Sequence, residues 1–136
     1  MAWLAHGSDY GGSLRSPASF CSIVGMRPSP GRIPSNVSGI LDQTLGVNGP
    51  MARNVKDLAL FFDVLLGQTY KDPTSIPKEE KSYLDHAVEA KKPRKIAISQ
   101  DLGIPPVDPT IREFVVKAGK ELEKLGIVVE EATPDL

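Results

Sequence analysis

Between Gly7 and Ala18 the chain reads Gly7-Ser8-Asp9-Tyr10-Gly11-Gly12-Ser13-Leu14-Arg15-Ser16-Pro17-Ala18, which combines a hydroxyl, paired glycines and opposite charges. Two glycines ahead of Ser13 allow backbone conformations that aim consecutive N–H groups into one concavity. A hydroxyl beside such a cluster can attack a carbonyl carbon while the N–H groups hold the developing oxyanion. Each such donor is worth roughly 2.7–4 kcal/mol in the transition state. On this reading Ser13 is a nucleophile, and the backbone N–H groups of Tyr10, Gly11, Gly12 and Ser13 form an oxyanion hole. A bare Gly-Gly-Ser also occurs in many turns and linkers, and on that tripeptide alone a turn is the better account. Two other glycine loops do not fit. A phosphate loop needs a Gly-Lys-Ser/Thr, for which Arg15 is misplaced, and the Gly-x-Ser-x-Gly elbow needs a glycine where Arg15 stands.

The neighbouring polar residues each have a plainer reading. Asp9 and Arg15 can bracket the loop as an ion pair that fixes its shape, or Arg15 can meet a substrate carboxylate; the shaping role is favoured for both. His6 lies seven residues before Ser13 with no orienting acid identified, so a Ser-His pairing is disfavoured. Cys21 follows an apolar run and reads as a core residue, not a nucleophile. Asp42-Gln43 can line a cleft or simply make a polar turn. His86 sits in a polar stretch and carries no signal. Asn36-Val37-Ser38 fits the glycosylation triplet, but nothing else argues for secretion.

The longer string changes the balance. Gly7 to Cys21 resembles the core of the amidase-signature family, G-[ST]-D-x-G-G-S-[ILV]-R-x-P-A followed by an apolar stretch. The resemblance continues through Val24-Gly25-Met26-Arg27-Pro28-Ser29-Pro30-Gly31-Arg32, similar to V-G-[LM]-[KR]-P-[ST]-x-G-R. It runs on to Gly49-Pro50-Met51-Ala52-Arg53 and Asp57, similar to G-P-[ML]-[AT]-R-x-x-x-D. Ser22 departs from the glycine often found there. The resemblance implies a mixed sheet flanked by helices and hydrolysis of linear carboxamides through an acyl-enzyme. It also implies a catalytic set of a serine nucleophile, which Ser13 matches, a second serine on a cis peptide bond, and a lysine as ultimate base. The second serine belongs to a G-G-S-S-G-G block upstream of the nucleophile, and no lysine here, from Lys56 onward, lies in the family's motif for the base. An unactivated serine is a weak nucleophile, so the chain is expected to be an incomplete family member with little or no activity alone. A glutamine-dependent tRNA amidotransferase component is a close variant of the same reading. Such chemistry uses only side chains and backbone, so no cofactor and no metal are expected.

The elements that must position the loop follow from punctuation and periodicity. Residues 1–50 are rich in Gly, Pro and Ser, and read as a loop-rich surface resting on a scaffold. Ala18 to Val24 reads as an apolar helical turn packed in a core. Asn54 caps a helix with Asp57 three residues on. Val55, Leu58, Ala59, Phe62, Leu65 and Leu66 recur at helical spacing, and Gly67 ends it. Leu60, Phe61 and Val64 make this helix apolar nearly all round, which predicts burial on several sides. Residues 68–93 read as a polar surface connection with a short helix near Tyr83 to Ala90. Lys95 to Ser99 then reads as a strand, and Asp108-Pro109 opens a helix. That helix has an inner face of Ile111, Phe114, Val115, Ala118, Leu122 and Leu125; Gly126 ends it and Ile127-Val128-Val129 is a second strand. This predicts a right-handed βαβ unit over residues 95–130 with parallel strands. The fold class is α/β. Residues 1–136 form one partial domain, divided into 1–67, 68–93 and 94–136.

Length and composition set the outer limits. A chain of 136 residues can bury a core, and with 40% hydrophobic and 24% charged residues nothing points to disorder. Sixteen basic against seventeen acidic residues leave no electrostatic footprint for nucleic acid or an anionic membrane. No run approaches the roughly 20 apolar residues of a membrane span, and residues 1–6 lack the basic start of a signal peptide. A single cysteine excludes an intrachain disulfide and makes a cytoplasmic protein the expectation; a small-molecule amide as its substrate is what the family resemblance implies. Because the glycine-serine motif arrives so soon after Met1 and one helix is apolar nearly all round, the expectation is an internal piece of a longer protein. Its uncovered helix faces would then drive self-association. The rival reading is a non-catalytic α/β module that keeps the loop as a relic or binds an acyl or carboxylate ligand.

Overall fold

The computed structural model of the chain describes residues 2–35, 45–104 and 106–135. It divides into two compact units, Met1–Ala90 and Lys91–Leu136. Residues 68–90, expected as part of a surface connection, belong to the first.

The first unit is built on a three-stranded antiparallel sheet ordered β1-β3-β2: β1 is Leu4–Asp9, β2 Val24–Gly25 and β3 Val47–Ala52. The sequence hid these strands. Each carries a glycine (Gly7, Gly25 and Gly49), and β3 also carries Pro50, so the alternating apolar pattern of a strand never appears. The glycines are required by what lies on them. Helix α1, Arg15–Phe20, follows β1 at once, and the fully buried Leu14 sits at its start. A Cβ on Gly49 would fall 2.4 Å from Leu14 Cδ1 and 2.2 Å from the Met26 carbonyl oxygen; one on Gly7, paired opposite Gly49, would fall 2.9 Å from Leu14 Cδ2. A Cβ on Gly25 would meet Ala18 Cβ at 2.7 Å. One glycine per strand thus makes a trough that receives Leu14 and Ala18, and burying Leu14 there contributes about 1.5–3 kcal/mol. Pro50 is tolerated in the central strand because its carbonyl accepts the Met26 N–H at 3.1 Å, on the side where β2 has already ended. A residue's N and O share one side of a strand, so the missing N–H removes no bond to β1.

Helix α2, Val55–Leu65, is capped as expected: the Asn54 side chain accepts from the Asp57 N–H at 2.9 Å. Leu58, Ala59 and Phe62 are buried, whereas Val55, Leu60 and Val64 are exposed. Phe62 and Leu66 form the core with Ile33, and Met26, Leu65 and Tyr83 pack on it. Asp63, the one charge inside the apolar run, accepts N–H bonds from Tyr83 at 2.8 Å and Leu84 at 3.0 Å and so opens helix α3, Tyr83–Glu89. The run Ala18 to Val24 is corrected: the helix starts earlier, at Arg15, while Phe20 is 91% exposed and Cys21 is exposed, not in a core.

The second unit is the expected strand–helix–strand. β4, Lys95–Ile98, pairs parallel with β5, Val128–Glu131, and α4, Pro109–Lys124, connects them. Asp108 caps α4 by accepting the Thr110 N–H at 2.8 Å, and Pro109 takes the first turn. Its inner face differs from the expected one. Gly119 is buried and a Cβ there would meet Ile98 Cδ1 at 2.8 Å, whereas Ile111, Phe114, Ala118 and Leu125 are exposed. Two strands cover only the stripe of the helix that contains Gly119. Among the described residues no helix is long and apolar enough to cross a membrane.

Candidate active site

The glycine-serine loop after β1 is organised around one carboxylate. Asp9 ends β1 and is fully buried. Its Oδ1 accepts the Gly12 N–H at 2.8 Å and Arg15 Nη2 at 3.0 Å. Its Oδ2 accepts Arg15 Nε at 3.0 Å, the Leu14 N–H at 3.2 Å and the Arg15 N–H at 3.4 Å. The Arg15 guanidinium, helped by these main-chain bonds and opposed by burial, holds the Asp9 carboxyl far below the ordinary carboxylate range. Asp9 and Arg15 therefore meet as a two-point pair, the shaping arrangement favoured from the sequence. A second cation, missed in the sequence, also stands there, with Arg27 Nε 3.4 Å from Asp9 Oδ1.

This hub decides which amides are free. Gly12 has φ +128°, the one residue of the loop that needs glycine's freedom, and its N–H is turned onto Asp9. Of the four amides expected to form an oxyanion hole, that of Gly12 already donates to the carboxylate three residues back. Tyr10, Gly11 and Ser13 remain as candidates. Ser13 is exposed, between two residues whose N–H groups face Asp9, in the turn entering α1. There the Gly12 carbonyl accepts the Ser16 N–H at 2.7 Å. A Cβ on Gly11 would meet nothing within 4 Å, so Gly11 faces open space. His6 lies on β1 opposite Pro50, with an exposed side chain.

Beside the loop is a cavity of about 360 Å³ whose lining includes Ser8, Asp9, Tyr10, Ile33, Asn48 and Asp72. Tyr10 is shared by loop and cavity; Ser13 does not line it. Asp72, only 2% exposed, is with Ser75 a buried exception in a stretch that is otherwise largely exposed. Burial pushes its carboxyl up, but donors from the Thr74 hydroxyl and the main chain of Ser35, Thr74 and Ser75 outweigh this and leave it lowered. The Ser35 N–H lies at 2.8 Å and the Thr74 hydroxyl at 2.6 Å. With the Ile76 N–H on the Gly31 carbonyl at 3.0 Å, these bonds seam residues 72–76 to 31–35. The sequence signal was the turn composition Asp72-Pro73-Thr74-Ser75. Asp42-Gln43 and Asn36-Val37-Ser38 lie outside the described residues. Among the described residues, no group of three or more His, Cys, Asp or Glu could hold a metal ion.

The family model for amidases matches residues 1–136. The chain is 37% identical over 131 residues to an acylamidase of Rhodococcus erythropolis, covering 96% of this chain and 28% of that protein. It is likewise 37% identical over 127 residues to a glutamyl-tRNA(Gln) amidotransferase component of Lachnospira eligens, covering 93% of this chain and 26% of that protein. Among solved structures it resembles a bacterial aryl acylamidase of the amidase-signature enzymes, with TM-score 0.84 and 30% identity over 95% of this chain and 26% of that one. The chain thus spans between a quarter and three tenths of the length of these relatives. A match across the whole sequence, at these identities and around the Asp9-centred loop, places the chain in the amidase family, among the amidase-signature hydrolases.

Proposed function

We propose that the chain supplies the nucleophile and oxyanion loop of a serine amidase. Ser13 Oγ attacks the carbonyl carbon of a small carboxamide, and the oxygen of the tetrahedral intermediate rests on the N–H groups of Tyr10, Gly11 and Ser13. Collapse expels the amine and leaves an acyl-serine, which water hydrolyses. The observation that carries this reading is the Asp9 hub. It takes the Gly12 and Leu14 amides away from the reaction side and leaves Ser13 exposed on a rigid bend. Such preorganisation lets donors act on developing charge without reorganising. Asp9 and Arg15 shape the bend and do not touch the substrate.

Ser13 still needs a base to take its proton. The family's lysine and second serine match no position in this sequence, so the isolated chain is expected to be a weak catalyst or an inactive one. A fluorophosphonate probe tests the assembled state: labelling of Ser13, lost in Ser13→Ala, supports the proposal. A folded chain that stays unlabelled favours the relic reading instead.

A second reading within the family is release of ammonia from glutamine for an amidotransferase, favoured by the similarity to the Lachnospira eligens protein. Glutamine offered beside an anilide to a labelling-competent chain separates the two, since only the favoured substrate protects Ser13 from the probe. We assign the protein to the cytoplasm on the exposed, unpaired Cys21. Self-association is assigned to the exposed apolar residues of α2 and α4.

A further inference from the structure

The Asp9 carboxylate is already saturated. Two oxygens offer about four acceptor positions, and Gly12, Leu14 and Arg15 direct five N–H donors at them. Arg27 adds no aligned hydrogen bond from its Nε, which is buried, yet stands 3.4 Å from Oδ1 as an ionic neighbour. Its other end is occupied differently: Nη2 donates to the Leu45 carbonyl at 2.7 Å. Leu45 immediately precedes Gly46, Val47 and Asn48, which form one wall of the cavity, and Val47 opens β3. The main chain beside Arg27 is itself tied down, through the Met26 N–H on Pro50.

We propose that Arg27 is a positioning residue: its planar guanidinium is a strut that fixes the nucleophile loop, through Asp9, against the chain entering β3. Arg15 keeps its own two-point hold on Asp9 when Arg27 is removed, so the bend still forms but opens more readily. What Arg27 adds is placement of the whole bend relative to the cavity wall. A guanidinium can face a carboxylate with one nitrogen and a carbonyl with another, whereas an ammonium is a single point. The catalytic consequence rests on the serine-amidase reading; the strut itself does not.

The test uses the full chain with Arg27→Met and Arg27→Lys. Hydrogen exchange followed by NMR is expected to quicken about tenfold at the Gly12 and Leu14 amides in Arg27→Met, through local opening, with α2 amides unchanged. Arg27→Lys, which keeps the charge and loses the fork, recovers only part of this protection. Where Ser13 labels with a fluorophosphonate, the limiting labelling rate in Arg27→Met falls about ten- to a hundredfold, as for a displaced reacting group. The probe's binding constant stays within about twofold, because the strut acts on geometry and not on affinity. A purely structural residue would lower stability and leave the limiting rate of the folded fraction alone. Should wild-type Ser13 not label at all, the relic reading of the loop is favoured, and amide exchange still decides the strut. Unchanged Gly12 and Leu14 exchange in a folded Arg27→Met chain overturns the proposal. So does a loss of protection that spreads evenly into α2. If Arg27→Met does not fold, Arg27→Lys decides by the same two criteria.

Discussion

At the scale of residues, Gly11 and Gly12 look equivalent in the sequence and are not. Gly12 sits at φ +128° with Ser16 Oγ 3.0 Å from where a Cβ would lie; Gly11 faces open space. Gly12→Ala should therefore cost about 1–3 kcal/mol of stability, and Gly11→Ala less than about 0.5 kcal/mol, measured by urea unfolding. Asp9 gives a pH signature. Its carboxyl is depressed in the folded state, so its contribution is complete above the ordinary carboxylate pKa of about 4 and is lost as pH falls below it. The stability gap between wild type and Asp9→Asn should be constant above about pH 5 and shrink steadily toward pH 2; a gap that widens in acid contradicts the hub. The motif put Asp9 and Arg15 forward as the ion pair that the structure holds, and Ser13 as the proposed nucleophile. That Gly12 is consumed by Asp9, and that Arg27 joins them, depends on side-chain directions that no spacing encodes.

At the scale of elements, caps and apolar spacing pointed to α2 and α4, and periodicity also to β4, β5 and the turn of α3; for α4 the spacing gave the helix but not its buried face. It failed on β1, β2 and β3, because their glycines exist to admit Leu14 and a strand without alternating side chains looks like a loop. Gly49→Ala is the sharpest check. The new methyl would collide with the Met26 carbonyl at 2.2 Å as well as with Leu14. The expected loss is about 1–3 kcal/mol or more, read as a lowered urea midpoint. The exposed half of α4 was misjudged for a related reason: apolar spacing tells which face could be buried, and only the neighbours present decide which is.

At the scale of the whole molecule, both units carry exposed apolar side chains. Val55, Leu60 and Val64 on α2, and Ile111, Phe114 and Leu125 on α4, all lie in water. Sedimentation should show concentration-dependent association, reduced in Val64→Glu and Phe114→Glu; a clean monomer at high concentration contradicts this. The central claim is narrower and concerns three amides beside one hydroxyl. Titrating the chain with an arylboronic acid, while following backbone amide shifts by NMR, tests it most directly, because a tetrahedral boronate on Ser13 places an oxygen where the oxyanion would rest. The Tyr10, Gly11 and Ser13 amides should move downfield together while Gly12, held by Asp9, stays in place. Movement of Gly12 with the others, or adduct formation that leaves all four unmoved, would contradict the account.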